Sequence, residues 1–379
     1  MRLSTSQSHS TPEIERIDAL FEEAGLVRSL RGHAAGVTRR MRFERAESRA
    51  PAAVSALPSR AANGVEWLAV PGWQRAGWLW HGFSTRRGGL SRAYCPEGGP
   101  GELNLGFTAE DDREAVAGNR RLLAEAVTGD LATPLATVRQ IHSNVVVVAG
   151  AAEGARERPR KADGLMTDKA GVLLGIQTAD CIPVLVADRK RRAVAAFHAG
   201  WRGTVKRIVE SGVGRMRLEF GSKPEDLMAA IGPGVGQCCY AVGDEVLSAF
   251  ESQFAYANEL FREVYDSDPV RTRYPMLFLT QRAPGHSEIG PRVHLNLVEA
   301  NRRQLIAAGL NPRSIKVVGG CTSCQPELFF SHRAAQGRTG RMLAVIGICP
   351  RPTGNDPRRN PQRERAGKRT VPVEGRWDA

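Results

Sequence analysis

Two apolar runs, IPVLVAD (182–188) and AVAAFHA (193–199), are joined only by residues 189–192. A link of four residues is too short for a parallel crossover, so the two runs form an antiparallel hairpin. Their length and β-branched content fit strands covered on both faces, which places this hairpin inside a fold with further layers around it.

Other runs of strand length recur: VVVVA (145–149), GVLLGI (171–176), LMAAIG (227–232), IKVVG (315–319) and MLAVIGI (342–348). Helical periodicity fills some of the intervals, at 110–127, 204–220, 243–254 and 296–310. The pattern predicts a mixed α and β architecture in one domain, with no internal repeat. With 379 residues the chain can bury a large core. The folded part is expected over 64–349. Residues 1–63 read as an extension, with an amphipathic helix over 12–30 followed by a linker rich in Arg, Ala and Ser. Residues 350–379 read as a basic, disordered tail.

The formal charge of +13 raises the question of nucleic acid. Residues 1–63 carry ten Lys/Arg against seven Asp/Glu, and 350–379 carry eight against four, so more than half of the excess lies in the flanks. The remainder suits an anionic small molecule, and no helix-turn-helix, zinc-finger or RNP pattern accompanies it. Sequence-specific nucleic-acid binding is not expected. Seven cysteines are few and odd in number for so long a chain, which argues against a disulfide framework and for a reducing cytoplasm. No apolar run approaches the length of a membrane span, and the N-terminus lacks the apolar stretch of a secretory signal. Oligomeric state cannot be read.

Three metal-type side chains interrupt the apolar pattern beside strand ends: His142 in RQIHS, Cys181 in TADC and His198 in FHAGW. One thiolate and two imidazoles suit zinc, and three protein ligands leave a fourth position for water or substrate. The plain alternative is that each is a satisfied core residue, since buried cysteine is common and a lone histidine usually finds a hydrogen bond. Arginines form a second group: Arg86 and Arg87 before Gly-Gly, Arg202 in GWRG, and Arg333, Arg338 and Arg341 in SHRAAQGRTGR. A guanidinium beside glycine suits phosphate or carboxylate, although solvated surface arginine is the commoner explanation. CTSC (321–324) resembles half of a zinc or redox site with no second CxxC, and Cys238–Cys239 is a dipeptide that rarely bridges itself.

The segments HGFSTRRGGLS, LNLG, RQIHS, ADGLMTD, TADCIPVLVAD, FHAGWRGT, AAIGPGVGQCCYAVGDEV, HLNLVEANRRQL, CTSC and FFSHRAAQGRTGRMLAVIGI occur in that order over about 81–348. Together they resemble the YfiH family, also called the polyphenol-oxidase or laccase-domain family, whose members include bacterial purine nucleoside phosphorylases and the FAMIN enzyme. The resemblance implies an α+β fold, a single-domain α/β/β/α layered sandwich of mixed sheets. It places the family's metal ligands on His142, Cys181 and His198. It also implies cleavage of adenosine, inosine and methylthioadenosine with phosphate, and deamination of adenosine.

On that reading zinc is the cofactor and lowers the pKa of water for attack on C6 of the purine. Arg86, Arg202, Gln140, Asn104 and Arg333 are candidates to bind substrate or phosphate. Cys181, Asp180 and Asp163 are candidate catalytic residues, the carboxylates orienting a ligand or moving a proton. Asn296 and Gln237 stand where many members have Asp and Pro, which leaves substrate preference open.

Three other readings compete. A copper-dependent laccase needs many histidines, typically with His-x-His pairs, and the folded part has six with no such pair, so copper is the lesser expectation. A hydrolase editing a peptidoglycan precursor, the serine form of a muramyl nucleotide, would use Cys181 and His198 as a nucleophile pair. A zinc-stabilised binding module without enzymatic activity is the third.

Overall fold

A computed structural model of the chain describes residues 58–150, 159–264 and 292–350. The helix expected over 12–30 and the tail after 350 lie outside the described residues. Strand pairing begins ahead of the expected start at 64, because β1 (Ser59–Arg60) pairs with β2 (Glu66–Leu68).

The first sheet runs β1, β2, β3 (Leu79–Ser84), β16 (Met342–Ile348), β8 (Leu173–Thr178), β5 (Leu135–Thr137). The second runs β15 (Ile315–Val317), β11 (Leu227–Ile231), β9 (Ile182–Asp188), β10 (Val194–Ala199), β7 (Gly164–Thr167), β6 (Val146–Val148). Both sheets mix parallel and antiparallel pairs. β9 and β10 form the expected hairpin, with Val184 opposite Phe197. Asp188 accepts the N–H groups of Lys190 and Arg191, both at 2.8 Å, and so closes the four-residue turn.

Alternation along these strands builds the layers. Leu185, Ala187, Val194 and Ala196 of the hairpin pack against Leu174, Ile176, Ala344 and Ile346 of the first sheet. The intervening residues Val184, Val186, Ala195 and Phe197 pack outward onto Val209, Val213 and Met216 of a covering helix. On the far side, Leu173, Leu343 and Val345 of the first sheet meet Leu123 of α1 (Arg113–Thr128). The order is therefore helix, sheet, sheet, helices, the α/β/β/α sandwich. A small sheet of β12 (Ala241–Val242), β14 (Arg292–Leu295) and β13 (Phe261–Val264) stands beside the layers, and β4 (Arg87–Ser91) bridges to Glu102.

The single helix expected over 204–220 is two, α2 (Trp201–Val205) and α3 (Ile208–Phe220). Arg207 between them has φ 59 and ψ 42, a left-handed conformation that a continuous right-handed helix excludes. Its guanidinium holds the corner by donating to Glu210 and to the Gln253 carbonyl. α4 (Asp244–Glu251) and α5 (Leu297–Ala307) fall within the expected stretches. No described helix is long and apolar enough to cross a membrane.

Candidate metal centre

The two sheets are linked where the chain leaves β8 at Thr178 and enters β9 at Ile182. Cys181 sits in that crossing, after Asp180, whose φ of 94 turns the backbone sharply. His198 is the penultimate residue of β10, opposite Pro183, and shares the inward alternation of Val194 and Ala196. His142, with φ 56, comes from the loop between β5 and β6. Two of the five described non-glycine residues with positive φ thus flank or belong to one site, as strained backbone at functional positions does.

The ligand atoms of His142, Cys181 and His198 lie within 4.8 Å of one another, and the two rings meet edge to face at 5.0 Å. His198 is buried, while His142 is exposed. Asp163 organises the centre from beneath. Its carboxylate accepts the backbone N–H groups of Ile141, His142 and Ser143, the Ser143 hydroxyl at 2.7 Å, and a bond with His198 Nδ1 at 2.9 Å. The last fixes the His198 ring and turns its Nε2 toward the other donors, the carboxylate–histidine arrangement found behind metal ligands.

Burial opposes charge on Asp163, but the bonds from His198 and Ser143 outweigh it and hold the carboxyl far below its ordinary range. Burial also opposes ionisation of Cys181, yet the charge of His198 and bonds with both histidines bring the thiol down to about 6. For His198, burial pulls downward, and Cys181 followed by Asp163 raises it to about 9. The ionised sulfur is the form that binds a divalent cation, and the His198 proton is released as a cation enters, so the donor set of one thiolate and two imidazoles fits zinc with one position left over.

Asp180 is also a positioning group. Its Oδ1 accepts the hydroxyls of Thr322 and Ser331 at 2.6 and 2.7 Å, and its Oδ2 accepts the Arg333 N–H at 2.6 Å. Five contacts occupy both oxygens of Asp163 and three engage Asp180, which suits orientation better than proton transfer.

A cavity of about 460 Å³ opens onto the three donors and is also lined by Arg139, Gln140, Gln177, His332 and Arg341. That volume lies within the range of small-molecule sites. Gln140 exchanges two bonds of 2.8 Å with the backbone of Gln177, which stiffens this wall. Arg202 stacks on Trp201, and Arg333 lies over the Tyr240 ring. The Tyr240 hydroxyl is pushed upward by burial first and then by Cys181, with Arg333, Asp180 and Arg202 adding opposed contributions, so these groups share one neighbourhood.

Of the five expected binding residues only Gln140 lines this cavity; Arg202 and Arg333 stand near it beside Tyr240, and Arg86 and Asn104 lie elsewhere. Arg86 pairs with Glu102, stacks on Phe330 and lines other cavities, because its guanidinium is committed to that corner. Asn104 is fully buried and ties Gly106, Asp111 and the Arg341 N–H together, so it holds the arginine loop from behind. Asn296 caps α5 by accepting the Glu299 N–H, and Gln237 donates to the carbonyls of Leu260 and His294. Neither departure lines the cavity. Arg139 and Tyr240 were not among the expected site residues, although each lies inside a quoted segment, RQIHS and GQCCYAV.

Residues 80–349 match the family described as "Multi-copper polyphenol oxidoreductase laccase". The chain is 37% identical over 276 residues to "Purine nucleoside phosphorylase YlmD" of Geobacillus stearothermophilus, covering 70% of this chain and 89% of that one. It is 32% identical over 270 residues to "Adenosine deaminase RL5" from an unknown prokaryotic organism, covering 70% and 92%. Among solved structures, the Bacillus licheniformis hypothetical protein YfiH aligns with a TM-score of 0.62 at 30% identity, over 77% of this chain and 98% of that one.

Proposed function

The chain belongs to the multi-copper polyphenol oxidoreductase laccase family, and from that premise we propose that it is a zinc-dependent purine nucleoside phosphorylase that also deaminates adenosine. The observation that carries the reading is the meeting of His142, Cys181 and His198 in a cavity that two arginines, Arg139 and Arg341, also line. Relatives above 30% identity that bear these two activities in their names support it.

Zinc, when held by His142, Cys181 and His198, supplies Lewis acidity and makes water a stronger acid. The protein's own contribution is position. Arg139 and Arg341 bring positive charge to the cavity wall, Arg341 with its Nη1 held by the Thr339 and Gly340 carbonyls, and that charge would draw in phosphate and offset it beside the ribose. Arg202 and Arg333 add positive charge beside Tyr240. Asp163 fixes His198 and the His142 loop, and Asp180 fixes the Cys181 turn.

Incubating purified chain with adenosine, with and without phosphate, tests the reading. Adenine and ribose 1-phosphate formed only with phosphate are the expected products, with inosine as the deamination product. Absence of all three from zinc-loaded protein overturns it. The low Cys181 thiol beside a raised His198 favours one second reading, a Cys–His hydrolase acting on a serine-containing muramyl nucleotide. That reading predicts serine release by chelator-treated protein, whereas phosphorolysis predicts loss of turnover on chelation.

A further inference from the structure

CTSC and the Cys238–Cys239 dipeptide are 82 residues apart in the chain, yet the fold brings them together for a simple reason. β11 and β15 run parallel as neighbours, so the loops after them leave the sheet side by side. Val318 N–H donates to Ile231 O at 2.8 Å, Thr322 N–H to Gly234 O at 3.0 Å, and Gly236 N–H to Cys321 Sγ at 3.2 Å. A turn with Cys239 N–H on Gly236 O then presents both Cys238 and Cys239 to CTSC.

The four sulfurs of Cys238, Cys239, Cys321 and Cys324 lie within 4.8 Å of one another, with Cys324 at 3.5 Å from Cys238 and 3.3 Å from Cys239. Four sulfurs bound tetrahedrally to zinc at about 2.3 Å stand about 3.8 Å apart, so the cluster needs only small adjustments to close on one ion. Core packing does not explain it, because Cys238 and Cys324 are exposed. Gly236 is shaped to the cluster: a Cβ there would meet Cys321 Cβ at 3.0 Å and Cys238 Sγ at 3.2 Å.

We propose that Cys238, Cys239, Cys321 and Cys324 form a second metal site, separate from the His142–Cys181–His198 centre, which takes zinc in an all-thiolate shell and locks the two loops together. The purpose of the lock follows from what the loops hold. Val235 N–H donates to the Asp180 carbonyl at 2.8 Å, and Thr322 donates its hydroxyl to the Asp180 carboxylate. Both loops therefore grip the residue that sets the Cys181 turn, one from each side. A closed four-sulfur shell has no open position, so the site is structural.

Metal content of the full chain, purified without oxygen, tests the proposal by plasma mass spectrometry. Wild type is expected to hold two zinc ions per chain, and Cys324→Ser and His142→Ala one each. Cobalt substitution of the wild type provides a readout that does not depend on a variant folding. Thiolate-to-cobalt absorption of four-sulfur strength is expected, retained in His142→Ala and lost in Cys324→Ser. A single zinc ion abolished by His142→Ala, cobalt absorption of one-thiolate strength only, or a disulfide from Cys324 to Cys238 or Cys239 in the oxygen-free protein would each overturn it.

Discussion

At Gly200 the missing side chain is what lets the metal centre close. A Cβ there would stand 2.9 Å from Cys181 Sγ and 3.2 Å from His142 Cδ2, while its φ of −68 is open to any residue. Space, not backbone freedom, is therefore the constraint. Gly200→Ala is expected to displace the sulfur and lower zinc affinity about 10–100-fold, the scale of disturbed supporting shells, with the fold intact. Competitive titration with a zinc chelator reads the affinity, and circular dichroism the fold. The same neighbours set the charge on Cys181. In chelator-stripped protein the thiolate and the His198 imidazolium coexist between about 6 and about 9. The stability that the lowered thiol contributes is lost as pH falls through about 6, and that of the raised imidazole as pH rises through about 9. Iodoacetamide labelling of Cys181, followed by peptide mapping, is expected to reach half its maximum near the lower value; a midpoint near the ordinary thiol range contradicts this electrostatic account. The three metal-type residues were legible in the sequence because each breaks an apolar run. The partners of Arg86 and Asn104 were not, because an arginine motif does not say that Glu102 and Phe330 will hold the guanidinium.

Among the elements, β9 and β16 coincide with the apolar runs that announce them, since strands buried on both faces need unbroken apolar sequence. β3 was not legible: LWHGFS mixes Trp80, His81 and Gly82, and only its place between β2 and β16 makes it a strand. Helical periodicity found α3 but not the corner at Arg207, which the packing of α3 on β10 imposes. That packing turns on Gly212, where a Cβ would strike the Phe197 ring at 2.4 Å and 2.5 Å. Alanine gains about 1 kcal/mol over glycine as a helix former. Overpacking a full core costs about 1–3 kcal/mol. The ring is fully buried and is the neighbour of His198, so it has little room to yield. With so little room for the ring to yield, Gly212→Ala is expected to fall at the costly end of the net range, a destabilisation of up to about 2 kcal/mol, seen as a lower urea midpoint with unchanged slope. A higher midpoint would show that the helix corner relaxes and that propensity wins.

For the molecule as a whole, the position of the site follows from having two sheets face each other. A chain that passes from one to the other within three residues, as here between Thr178 and Ile182, must put a tight turn at the sandwich edge, and that edge is where Cys181 and the cavity lie. Among the described residues, the three apolar clusters that hold the layers are built between Val65 and Ile348. The positive charge is distributed differently, with the segments outside 64–349 carrying more than half of the net +13. Fold and metal centre on one side, and bulk charge on the other, should therefore separate experimentally. A chain trimmed to residues 58–350 is expected to keep its zinc content and to cleave adenosine with kcat/KM within about twofold of the full chain, since the site's guanidinium groups are retained. The same trimming should weaken retention on a polyanionic resin, with elution moving to lower salt, because long-range attraction to a polyanion follows total charge. If trimming instead abolished turnover while zinc content and thermal midpoint held, the flanking segments would have to take part in binding substrate.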